Sequence, residues 1–256
     1  MITVKTADEI ALMRAAGALL HRVREHLKTL VAPGVTTRSL DRIAEQMIRD
    51  NGAVPSFLGY HGFEYALCTS VDEAVVHGCP NDLPLREGQI VSVDVGLVLR
   101  GWQADSAFTS PVGEIAPDVA RLIRVTEECF WLALEKAREG YRIGDISHAV
   151  QTHAERHGYG VIRDLCGHGI GREMHEDPNV PNFGIAGRGA RLRPGMTLAI
   201  EPMICKGNWP VYVADDGWTV TTRDHSPCAH YEHTVAITDG LPEILTLPGG
   251  RVGVCA

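Results

Sequence analysis

Ile90-Val91-Ser92-Val93-Asp94-Val95-Gly96, a turn near Leu99-Arg100-Gly101, and Gln103-Ala104-Asp105-Ser106 form the stretch whose reading decides the fold. Val91, Val93 and Val95 alternate with Ser92, Asp94 and Gly96, so the strand has one apolar face and one face of small and acidic residues. The chain then returns as the second arm of a hairpin. If the turn residues are Leu99 and Arg100, Asp94 stands directly opposite Asp105. If they are Arg100 and Gly101, the two acids are diagonal neighbours, ~7–8 Å apart. Either register projects two carboxylates from one face. A lone carboxylate in so apolar a run is protonated or paired, because desolvating an isolated charge is expensive.

The same device recurs downstream. Thr197, Ala199 and Glu201 alternate with Leu198 and Ile200, and Asp216-Gly217 is a strong hairpin signal. Glu201 and Glu232 lie equally far on either side of that signal, although Pro210 and Pro227 interrupt the arms. With His168 in a Gly-flanked turn, four carboxylates and one imidazole need a shared solution, and bound divalent cations supply one. The oxygen-rich set suits Mn²⁺, Fe²⁺ or Co²⁺ and admits Zn²⁺.

The chain also repeats itself. Gly34 and Gly140 precede similar helical patterns that close at Gly52 and Gly158, and both glycine pairs are 106 residues apart. Arg86-Glu87-Gly88 before Asp94 matches Arg193-Pro194-Gly195 before Glu201, and His77-Gly78 matches His168-Gly169. An ordered series of this kind implies one duplicated domain over residues 1–256, with pseudo-repeats over about 30–110 and 136–238 and its acids meeting at the centre.

Four helices are expected. The first opens with a capping box, Thr6 and Glu9, and runs towards Leu30. The second covers Thr37 to about Asn51. The third starts near Pro117 and stops at Gly140, and the fourth covers roughly Asp145 to His157. On the fourth, His148 and His153 are five apart, which does not place them on one face for metal binding. Strands and turns make up the remainder, an α/β (α+β) arrangement of helices on a curved, mainly antiparallel sheet.

Composition narrows the function classes. A net charge of −8 over 256 residues argues against a nucleic-acid surface. The apolar runs are too short for a membrane span, and no signal peptide or heptad appears, which favours a cytoplasmic monomer. Seven cysteines (Cys68, Cys79, Cys129, Cys166, Cys205, Cys228, Cys255) without a C-x-x-C pair read as reduced thiols. Cys166, beside Gly167-His168, reads as a small buried hydrophobe rather than a nucleophile.

Val76-His77-Gly78, Val93-Asp94-Val95, Asp105-Ser106, Cys166-Gly167-His168-Gly169-Ile170-Gly171, Met174-His175-Glu176-Asp177-Pro178, Ile200-Glu201-Pro202-Met203 and Tyr231-Glu232-His233-Thr234 follow one another in a recognisable order. From about Thr6 to Leu247 the chain closely resembles a type I methionine aminopeptidase of peptidase family M24. The resemblance implies the pita-bread fold, two pseudo-twofold halves around a dinuclear site for divalent cations. It implies removal of the initiator methionine from nascent polypeptides, with a small second residue preferred, by hydroxide attack on the first peptide bond. A transient contact with the ribosome belongs to the same expectation. Residue by residue, Asp94 would ligate one metal, Asp105 and Glu232 would bridge, and His168 and Glu201 would complete the second metal. Glu201 would also assist proton movement. His175 resembles the residue that hydrogen-bonds the scissile carbonyl, and His77 the one that contacts the backbone beyond it.

Tyr60, His61, Phe63, Cys68, Met174 and Trp218 match positions that line the methionine pocket or its rim. Phe57 stands where many bacterial members have Cys, Phe63 where many have Tyr, Met174 where Phe is usual, Gly96 where some have Thr, and His230 where many have Gln. An Xaa-Pro aminopeptidase or dipeptidase would use similar ligands, but it usually carries a further N-terminal domain, for which residues 1–60 leave no room. A metal-free binding protein on the same fold would lack one or more ligands, and all five are present.

Overall fold

A computed structural model describes residues 1–249 and 251–252; Cys255 lies outside the described residues, and the other six cysteines are free thiols. Helix α1 spans Ala7–Leu30. It opens on the expected capping box, in which the Thr6 hydroxyl accepts from the Glu9 backbone N–H and the Glu9 carboxylate accepts from that of Thr6 at 2.9 Å. Helix α2 spans Thr37–Asp50 and α4 spans Ile143–Arg156. Asp145 is the third residue of α4 rather than its opening, because its carboxylate reaches back to the Arg142 N–H at 2.8 Å. Helix α3, Pro117–Leu134, stops short of Gly140. Lys136 and Ala137 donate to residues three back, Ala133 and Leu134, so the last turn tightens and the helix does not propagate.

Ile90–Leu99 and Trp102–Pro111 form the expected hairpin, with Gly96 opposite Asp105 and Asp94 opposite Ala107. The turn residues are therefore Arg100 and Gly101, with φ of 54° and 79°. Positive φ at both central positions matches the strand twist, and Gly101 adopts it without a Cβ penalty. The register that sets Asp94 directly opposite Asp105 is thus wrong, and the diagonal one is right.

The register about Asp216-Gly217 holds along the whole second arm. Ile200 pairs with His233, Ile204 with Ala229 and Tyr212 with Thr221, all equidistant from that turn. Pro210 and Pro227 fall in the gaps between these short ladders, where no ladder N–H is needed. Pieces of the two halves recur at the same spacing. Thr36 bridges Pro84 and Arg142 bridges Arg191, while Gly34, Gly52 and Gly88 share positive φ with Gly140, Gly158 and Gly195.

Helices cover one side of the strands. Val91, Val93 and Val95 are fully buried with Leu20, Leu27, Leu40, Ile48 and Phe108 beneath α1 and α2. Leu122, Val125, Phe130, Ile146 and Val150 pack with Leu198 and Val235 beneath α3 and α4. Burial of each large side chain contributes about 1.5–3 kcal/mol, so the two packed layers hold the strands rigid and leave their other face for the acids. This is the α/β arrangement with antiparallel sheets expected of a pita-bread fold. Among the described residues, no helix is long and apolar enough to cross a membrane.

Candidate metal centre and substrate cavity

The five candidate ligands occupy two neighbouring rows on one face. Asp94 pairs with Ala107, and Ala107 exchanges both backbone hydrogen bonds with Glu232, at 3.0 and 3.3 Å. Glu201 continues this row at the register of the second arm. In the next row Gly96 pairs with Asp105, whose backbone N–H and C=O both bond the Thr234 hydroxyl, at 3.0 and 2.9 Å. Thr234 pairs with Ala199, and Ala199 with His168. The seam between Trp102–Pro111 and His233–Ala236 therefore brings acids from distant sequence to one place. Asp105, His168 and Glu232 each offer a ligand atom, and the three atoms lie within 4.8 Å of one another. His168 Nε2 is 3.7 Å from Glu201 Oε1.

Electrostatically this cluster is incomplete. Burial, with the neighbouring Glu201 carboxylate, pushes Asp105 up to about 7, and burial pushes Glu201 up to about 8. Burial and the adjoining acids hold Asp94 and Glu232 well above the usual carboxylate range. Burial lowers His168 to about 4, helped by His175, so the imidazole is neutral at pH 7. Asp94 Oδ1, Asp105 Oδ1, Glu232 Oε1 and the His230 Nε2 atom are buried without a hydrogen-bond partner among the described residues. Buried carboxyl oxygens without partners are costly, and only a bound positive charge lets these acids ionise together. Oxygen donors with one neutral imidazole are a donor set for divalent cations, and the residues present fit that group.

Above the cluster opens a cavity of about 440 Å³. Its walls include Tyr60, His61, Phe63, Cys68, His77, His175 and Trp218. Met174 differs from its expected place: at 2% exposure it packs with Phe57, Phe63 and Cys68 behind the wall and does not line the cavity. Phe57, Leu165, Cys166 and Met203 also line it. The Cys166 thiol is raised by burial and by Glu201, so it is protonated and no nucleophile. The Tyr60 hydroxyl bonds His175 Nδ1 at 2.8 Å. Burial, with His230 and His175 nearby, lowers His77 to about 4. The segment carrying His175 is pinned by Glu176, whose Oε1 accepts from the Arg172 N–H at 3.0 Å and whose Oε2 accepts from Lys5 Nζ at 2.6 Å.

The sequence singled out His230 only as a departure near Glu232, and it did not bring out a second cluster on the helices. His230 lies directly against the cluster, 3.4 Å from Glu201 Oε2. Away from it, His153 on α4 and His157, which caps that helix, approach Glu128 of α3. Arg121 bonds His157 Nδ1 at 2.9 Å and Arg124 faces Glu128, so that cluster already has its positive charge.

The chain belongs to metallopeptidase family M24, whose model matches residues 11–239. Within that family it stands with the methionine aminopeptidases. It is 52% identical to the methionine aminopeptidase of Clostridium acetobutylicum over 248 residues, covering 96% of this chain and 99% of that one. The crystal structure of methionine aminopeptidase from Rickettsia prowazekii superposes with a TM-score of 0.95 at 43% identity, covering 96% and 100% of the two chains. An Xaa-Pro dipeptidase from Bacillus anthracis shares the fold alone, with a TM-score of 0.77 at 21% identity over 63% of its own length.

Proposed function

We propose that the chain removes methionine from the N-terminus of peptides and nascent proteins, with a preference for a small second residue. The observation that carries this reading is the buried acid–imidazole cluster opening onto an apolar cavity. Phe57, Phe63, Trp218 and the Cys68 sulfur give that cavity the polarizable apolar walls that suit a thioether. Asp94, Asp105, His168, Glu201 and Glu232 would hold two divalent cations, with Mn²⁺, Fe²⁺, Co²⁺ or Zn²⁺ as candidates. When bound, such cations supply charge that polarises the scissile carbonyl and acidifies a water.

The chain's own groups do the rest. With the Tyr60 hydroxyl donating to Nδ1, neutral His175 carries its proton on Nε2 and donates it to the developing oxyanion. Glu201, ionised once the cluster is neutralised, takes the proton of the attacking water and returns it to the leaving amine. His77, neutral through burial, bonds the backbone beyond the scissile bond. The whole chain acts as one catalytic domain of two related halves, a cytoplasmic monomer that meets its substrates as they leave the ribosome.

Mass-spectrometric cleavage of matched peptides Met-Ala-X, Leu-Ala-X and Ala-Pro-X by chelator-stripped protein, with Mn²⁺ or Co²⁺ restored, tests this. Metal-dependent loss of Met alone is expected. Release of Leu, or cleavage before Pro, would reassign the specificity; no cleavage with either metal would end the enzyme reading.

A further inference from the structure

His230 is the polar group at the cluster that the proposed chemistry leaves without a task. Its backbone is locked in place: its N–H donates to Thr109 Oγ1 and its C=O accepts from the same hydroxyl, both at 2.9 Å. Ser92 completes the chain of bonds by reaching Thr109 at 2.8 Å. The imidazole, on a residue only 1% exposed, has therefore little freedom to turn away. Among the described residues its Nε2 has no hydrogen-bond partner, and it stands 3.4 Å from Glu201 Oε2 and 4.0 Å from Glu232 Oε2. On the far side of the same carboxylate, His168 Nε2 faces Glu201 Oε1. Glu201 is thus flanked by two imidazoles, one at each oxygen.

A buried N–H beside a carboxylate oxygen, only a few tenths of an ångström beyond a normal hydrogen bond, takes the nearest acceptor, here Glu201 Oε2. We infer that His230 is a positioning residue of the metal centre, its Nε2–H donating to Glu201 Oε2 and so leaving Oε1, beside His168, to ligate. The inference rests on the cluster being a metal centre. Such outer partners fix the rotamer of a ligating carboxylate before the cation arrives, so the ordering cost of binding is already met. The neighbouring Glu232 Oε2 is the longer alternative and shares the same donor side.

His230→Leu removes the donor while keeping an apolar side chain of similar bulk; His230→Gln keeps an N–H donor. Both full-length variants, stripped with chelator, are titrated with Co²⁺ by calorimetry and visible absorption, and their cation-free melting temperatures are recorded. We expect His230→Leu to bind Co²⁺ about ten- to a hundredfold more weakly and His230→Gln to stay within about threefold of the parent. The cation-free melting temperature of His230→Leu does not fall, and with saturating Co²⁺ its kcat on Met-Ala-X drops while KM holds. A His230→Leu variant that binds Co²⁺ like the parent overturns the inference. So does equal weakening in both variants with an altered Co²⁺ spectrum, which would make His230 a ligand. If the parent itself takes up no Co²⁺, the metal-centre reading fails and takes this one with it.

Discussion

Phe57 fills the space that a side chain on residue 96 would need: a Cβ on Gly96 would stand 3.0 Å from Phe57 Cε1 and 3.2 Å from Cζ. Both positions depart from the pattern of the chain's resemblance, Phe57 from Cys and Gly96 from Thr. The contact makes them one departure instead of two. A large ring at 57 is tolerated because the Ile90–Leu99 strand carries no side chain opposite it, and the ring then forms part of the cavity wall.

Gly96→Thr should therefore cost about 1–3 kcal/mol by overpacking, and it should lower kcat/KM for Met-Ala peptides as the ring is driven into the cavity. Adding Phe57→Cys should restore part of both. Recovery stays partial because Ser56 Cβ also stands 3.0 Å from that point and cannot swing away. Urea midpoints of the four proteins give the cycle, with an expected coupling of about 0.5–3 kcal/mol. Additive effects would mean that the two positions are independent.

Without cations, the acids make stability depend on pH in a definite direction. Asp105 and Glu201 have folded values of about 7 and about 8, above their ordinary 3.8 and 4.5. Between those limits the native state holds more protons than the unfolded chain, so stability is lost as pH rises through the folded values. Buried His77, His168 and His230 are depressed to about 4, 4 and 3 and act oppositely, gaining stability as pH rises towards 6.5. Above pH 6.5 only the acids remain. The melting temperature of chelator-stripped protein should fall between pH 6.5 and 8.5, and saturating Mn²⁺ should abolish the slope. At a hundred times Kd the cation should add about 2.7 kcal/mol per site. A cation-free melting temperature that rises over this window would contradict the account.

Much of this was legible because local rules act at short range. Alternation set the acids on one strand face but left two hairpin registers open, between which the structure decides, while the Asp216-Gly217 signal carried the pairing from Ile200–His233 out to Tyr212–Thr221. The seam joining Ala107 to Glu232 could not be read, because no local pattern states which strands of two halves will pair. The Phe57–Gly96 contact and the approach of His230 to Glu201 are likewise tertiary, invisible until distant strands lie side by side. Met174 was assigned by resemblance alone, which matches a position and does not say whether its side chain forms the wall or packs behind it.

Lys5 and Glu176 form an ion pair whose side chains are only 4% and 11% exposed. Glu176 also holds the turn that carries Met174 and His175 through the Arg172 and Glu173 N–H groups. Lys5→Met leaves a buried carboxylate unpaired, at a cost of about 3–5 kcal/mol, and should lower the melting temperature by about 2–4 °C for each kcal/mol. Lys5→Met with Glu176→Gln should regain most of the loss, since an amide needs no counter-charge. Calorimetric scans of the parent and the two variants decide this, and an unchanged Lys5→Met midpoint would show that water already compensates Glu176.

In the proposed reaction Tyr60 acts only through His175, to whose Nδ1 its hydroxyl is bonded, so the two substitutions should not add. His175→Ala removes the donor to the oxyanion and should lower kcat about 10²- to 10³-fold, with little change in KM. Tyr60→Phe keeps the ring in the cavity wall but removes the hydroxyl bonded to His175 Nδ1, which in the proposed reaction fixes the tautomer. One neutral hydrogen bond is worth about 0.5–1.5 kcal/mol, so kcat should fall by about two- to twelvefold. In a His175→Ala background Tyr60→Phe should then change nothing, because its partner nitrogen is gone. Steady-state kinetics on Met-Ala-X at saturating Co²⁺ measures all three. If Tyr60→Phe slows the His175→Ala enzyme as much as the parent, the hydroxyl contacts substrate directly and His175 owes its proton position to something else.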